Sequence, residues 1–212
     1  MNTVRTAGTA NAGTANAPTS AERRVRYSFR PWYKWLLTAL AFPPSGYIAH
    51  LVAGRVDSVP AAVLNGVIAG AGIGAAQWAL LRHRGVSIIW VIATAVGLGA
   101  GLATGAALVS YETDIGSLAT MGAVCGLAVG VAQGATLRNA TRLLGWTAVN
   151  AALWALGWTV TTAGGIDVSQ QWAVFGAYGC LTLACLQSTV VGAFVPETEA
   201  STLQNSKLKV TA

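Results

Sequence analysis

Six apolar stretches, none containing an aspartate or a glutamate, limit what this chain can fold into more than any other feature. They run over 33–53, 59–81, 87–110, 115–137, 143–163 and 170–194. A helix rises about 1.5 Å per residue, so about 20 residues cross a hydrocarbon core of about 30 Å. Inside such a core each backbone N–H and C=O must find a partner within the protein, and an α-helix provides one turn by turn. The expected fold class is therefore all-α integral membrane, with six transmembrane helices. Charged residues make up 9% of the 212, against about 25% in soluble domains, which leaves little of the chain for water.

The basic residues set the expected orientation. Arg5, Arg23, Arg24, Arg26, Arg30 and Lys34 precede or open the first span. Arg82 and Arg84 follow the second, Arg138 and Arg142 follow the fourth, and Lys207 and Lys209 lie in the tail. Alternating crossings put all of these on one face and leave Arg55 alone on the other. Lys and Arg accumulate on the cytoplasmic side, so both termini are expected there. Arg outnumbers Lys ten to three and Ala, Gly and Val abound; a bacterial cytoplasmic (inner) membrane is the expected location. The organisation expected is a disordered basic segment over 1–31, with AGTAN in tandem at 7–16, then a membrane domain over 32–195, then a flexible tail over 196–212. The net charge of +6 is expected to meet anionic lipid rather than nucleic acid.

Spacing within the spans is the second informative feature. Gly66, Gly70, Gly74 and Gln77 recur 56 residues later as Gly122, Gly126, Gly130 and Gln133. Gly176, Cys180, Ala184 and Gln187 repeat the order with small residues in place of two glycines. Trp35, Trp90 and Trp146 each stand eleven residues before a glycine, at Gly46, Gly101 and Gly157. Asp57, Asp114 and Asp167 fall between the two spans of each pair. The reading is three parallel helical-hairpin repeats of about 55 residues (32–82, 87–138 and 143–194), with a possible pseudo-threefold bundle.

Positions i, i+4, i+8 and i+11 share a helix face, so each GxxxG stripe ends in a glutamine. Between helices in lipid, close approach over small residues replaces the hydrophobic effect; the glycines and their Cys180 and Ala184 counterparts are expected to pack helices. An amide in a bilayer must be bonded. Gln77, Gln133 and Gln187 are therefore either helix clamps, bonded to a neighbouring carbonyl or indole N–H, or a polar ring around a constriction. The tryptophans are placed at the membrane interface, and the aspartates, with Ser58, Ser117 and Ser169 nearby, at helix N-caps, the alternative being an acidic mouth that attracts cations. Pro43-Pro44 must kink or break the first span. The three cysteines, Cys125, Cys180 and Cys185, read as small buried thiols.

No span carries an acid, and no motif for metal, phosphate or nucleophilic catalysis is present. No catalytic residue, metal or cofactor is expected. The function expected is that of a non-enzymatic structural or accessory membrane subunit. The alternatives are a passive pore for a small neutral or cationic solute and an embedded enzyme acting on lipid or isoprenoid. The partners expected are membrane lipids and either other proteins or further copies of the chain.

Overall fold

The structure, a computed structural model, describes residues 33–195. The expected N-terminal segment, the tail, and their basic residues lie outside the described residues. Six helices are long and apolar enough to cross a membrane: α1 (Lys34–Ala53), α2 (Val59–Leu81), α3 (Ile89–Leu108), α4 (Ile115–Thr136), α5 (Ala140–Ala163) and α6 (Ala177–Phe194). Each packs on its neighbours in the chain, and α6 closes onto α1, so the helices form a ring. The turns carrying Arg82, Arg84 and Arg138 gather at one end, here the basic end. Those carrying Asp57, Asp114 and Asp167 gather at the other, the acidic end.

The double proline shapes α1. An α-turn at Tyr33–Leu36 gives way to a 3₁₀ stretch, Leu37–Ala41, and the α-helix restarts at Phe42–Ala53. Pro43 and Pro44 then fall in the first turn of the restarted helix, where the N–H groups that proline lacks have no intrahelical acceptor. The break costs one stretch of poorer hydrogen bonding rather than two lost bonds in mid-helix.

Glycine decides how closely the other helices approach. A Cβ on Gly66 would sit 2.6 Å from the Gly99 Cα and 2.6 Å from the Leu98 carbonyl; one on Gly70 would sit 2.7 Å from the Thr94 carbonyl. Those atoms belong to α3, so the α2 stripe faces the helix that follows it. Gly122, Gly126 and Gly130 likewise meet Trp154, Asn150 and Thr147 of α5, and Gly97, Gly101 and Gly105 of α3 meet Val129, Cys125 and Met121 of α4. In each pair partner numbers fall as glycine numbers rise, as antiparallel neighbours require.

The last span departs from expectation. Its helix begins at Ala177, not 170, and Gly176 is its N-cap without a side-chain bond. Gly176 is thus not part of a helical stripe; Gly179 takes that place, against the Gly157 carbonyl and the Thr161 hydroxyl. Ahead of the helix, Ala173, Val174 and Phe175 turn into the bundle and are buried. Phe175 stacks on Phe42 with ring centres 5.2 Å apart and meets Trp154 and Trp158 edge-on at 5.3 and 5.8 Å. Hydropathy cannot separate an apolar segment buried in protein from one long enough to cross lipid, and this one is buried in protein. Cys185 also departs from expectation: it is exposed on the outside of α6, whereas Cys125 and Cys180 are buried.

Candidate functional site

The glutamines that close the stripes gather the polar side chains at the basic end. Gln77 lies near the end of α2, and thirteen residues later Trp90 opens α3; the turn between them returns the chain alongside itself. The Trp90 indole N–H donates to the Gln77 Oε1 at 3.0 Å. The same spacing separates Gln133 on α4 from Trp146 on α5, and that indole donates to the Gln133 Oε1 at 2.9 Å. Thirteen residues after Gln187 the sequence has Ala200 and no tryptophan, yet Gln187 has an indole too: Trp35 of α1 donates to its Oε1 at 3.3 Å, across 152 residues of chain.

The amide nitrogens complete the network. Gln133 Nε2 donates to Thr94 Oγ1 at 2.8 Å and to Gln77 Oε1 at 2.9 Å. Gln187 Nε2 donates to Asn150 Oδ1 at 2.9 Å. Thr94 and Asn150 each stand four residues after the indole donor of their own helix, and each donates to that tryptophan's carbonyl. Ala39 holds the equivalent place in α1 and has no polar side chain. Each of Gln133 and Gln187 therefore ties its own helix to the one before it and to the one that follows around the ring. All three glutamines are buried, at 3%, 0% and 1% exposure.

Three of the tryptophans point into the bundle rather than outward. Trp35, Trp90 and Trp146 are buried in one cluster with Leu81 and Val191, and the rings of Trp90 and Trp146 lie 6.0 Å apart. Their indoles are held inward because the amide acceptors are inside, which outweighs the interfacial preference of an unpaired indole. Trp78 and Trp172 are half-buried, and Trp78 donates to the Val86 carbonyl at 3.2 Å. From its place within a span Asn150, like Asn65, is expected to make a packing hydrogen bond, and it accepts one from Gln187 of the next helix; Thr94 carries no such expectation. The signal that pairs Thr94 with Asn150 is their common offset of four from a tryptophan. Asn65 bonds elsewhere, to the Gly54 and Ala61 carbonyls.

At the acidic end the three aspartates part company. Asp114 is the N-cap of α4 and accepts from the Gly116 and Ser117 N–H groups at 2.9 and 3.1 Å. Asp167 accepts from the Ser169 N–H at 2.9 Å within the long turn, ahead of no helix start. Asp57 is exposed, and Ser58 stands at the α2 N-cap without a side-chain bond. The Ser117 side chain, followed by its N–H, holds the Asp114 carboxyl below its ordinary 3.8, and Ser169 does the same for Asp167. Gln171 binds the turns together: it accepts from Arg55 at 3.2 Å and donates to the Tyr111 carbonyl at 2.9 Å. Among the described residues no group of three or more His, Cys, Asp or Glu is placed to hold a metal ion. Compared with protein-family models, with curated proteins and with solved structures, the chain matches none.

Proposed function

We propose that the chain is a multi-pass membrane protein of three helical-hairpin repeats, α1–α2, α3–α4 and α5–α6, around a pseudo-threefold axis. In this reading it acts as a non-enzymatic structural or accessory subunit of a bacterial cytoplasmic membrane, with both termini on the cytoplasmic side. The observation that carries the reading is the set of three indole-to-glutamine bonds. Each joins the glutamine of one hairpin to the first tryptophan of the next, and the third joins the last hairpin back to the first. A repeated residue that bonds across repeats, and does so again at closure, is what cyclic repetition requires. The same bonds support the structural role, because the conspicuous amides of the interior are engaged with one another and with buried indoles. Arg82, Arg84 and Arg138 at one end support the orientation.

The test is extraction in a mild detergent followed by native mass spectrometry. A stoichiometric complex with a second membrane protein is the expected result. A lone monomer or homo-oligomer under conditions that preserve known membrane complexes would remove the accessory role.

A further inference from the structure

We infer that a crevice at the acidic end is a binding site for one uncharged oxygen acceptor, which takes the hydrogen bond that the Trp158 indole N–H does not make within the protein. Trp158 is 2% exposed, and its Nε1 is buried with no hydrogen-bond partner. The indoles of Trp35, Trp78, Trp90 and Trp146 each donate to an amide or carbonyl oxygen. A buried indole N–H without a partner, on a residue that lines an opening, marks where an acceptor from outside belongs.

The opening has the matching chemistry. Trp158 lines it together with apolar Val56, Leu118 and Met121 and with polar Glu112 and Thr113. Its free space is about 10 Å³, roughly what one water-sized group needs. The donor calls for an acceptor, the apolar lining disfavours a bare charge, and the Glu112 carboxylate disfavours an anion. An uncharged oxygen satisfies all three conditions. Two sources supply one: a water molecule, whose own O–H groups donate hydrogen bonds to polar groups of the lining such as Glu112 and Thr113, and the ester carbonyl of a membrane lipid, whose chains remain outside.

The test is the indole region of a ¹⁵N–¹H correlation spectrum of the full chain in phospholipid nanodiscs. Trp158→Phe assigns the peak. Should that variant not accumulate, Glu112→Gln shifts the peaks that line the crevice, and Trp172→Phe removes the other indole there. The expected result is a Trp158 indole proton as far downfield as those of Trp90 and Trp146. A water source gives an exchange cross-peak with water that persists in ether-linked lipid. A lipid source gives a cross-peak to the acyl α-methylene and an upfield shift when ether-linked lipid, which lacks the carbonyl, replaces the ester. An indole proton upfield of the Trp90 and Trp146 pair in both lipids, with neither cross-peak, would overturn the assignment.

Discussion

At the scale of single residues, the consequences of the network follow from what each deletion leaves behind. Gln133 is fully buried and supplies the acceptor for Trp146 and the donors for Thr94 and Gln77. Replacing it with Leu keeps the volume but strands the Trp146 N–H, and a stranded buried donor costs about 1–3 kcal/mol. Gln133→Leu is therefore expected to destabilise by about 2 kcal/mol, read as a lower melting midpoint in detergent. Gln77 can still accept from Trp90, so that bond is expected to survive. Asp114 gives a pH dependence of definite sign. Its carboxyl is held below 3.8 in the folded chain, so its contribution is present above the unfolded value and is lost as pH falls through the folded one. Protection of the α4 N-terminal amides, taken relative to the intrinsic exchange rate at the same pH, should fall on acidification below about pH 4. In Asp114→Asn, which retains a capping oxygen, that pH-dependent fall should disappear.

At the scale of helices, small residues on a shared face predicted close packing, while the partner of each stripe came from the bundle. Gly66 shows how little space remains: its added Cβ would meet backbone atoms of α3, which cannot swing aside as a side chain would. Gly66→Ala is expected to cost about 1–3 kcal/mol through overpacking. Ala75→Val, on an exposed position of the same helix, should stay within about 0.5 kcal/mol. Melting midpoints of the two variants side by side test the assignment of the faces. The 3₁₀ stretch in α1 also has a packing consequence. A 3₁₀ residue rises about 0.5 Å more than an α residue, so the five residues of Leu37–Ala41 displace Trp35 by about 2.5 Å along the axis. The proline pair thus helps set where the donor to Gln187 lies.

At the scale of the whole molecule, closure of the ring depends on the seam between α6 and α1. Its clamp, the 3.3 Å bond from Trp35 to Gln187, is longer than the two clamps between consecutive helices. α1 is also the interrupted helix. The seam is therefore expected to open more readily than the interfaces lined by glycine. The two buried cysteines report on it. With the clamp intact Cys125 and Cys180 should stay protected from a maleimide, as their burial requires, and Cys185, in the middle of α6, is replaced by Ser so that it adds no background. Gln187→Leu should speed modification of Cys180, on α6, by about tenfold if the clamp is worth about 1.4 kcal/mol. Cys125, packed against Gly101 at the α3–α4 interface, should remain protected.

Sequence alone determined that six helices form, near where most of them end, and which faces are small or polar. These properties depend on local composition: apolar length, helical periodicity, and the backbone's need for internal bonds in lipid. The clamp role of the glutamines was among the readings open from sequence, because a membrane-buried amide must be bonded. Which indole each amide meets, the engagement of Thr94 and Asn150, and the inward position of Trp35 were decided by tertiary structure. So were the late start of α6 and the turn of Phe175 into the core. Hydropathy responds to removal from water and is blind to whether lipid or protein does the removing. The packed ring shows where protein does it, by placing an amide acceptor against Trp35 and an aromatic face against Phe175.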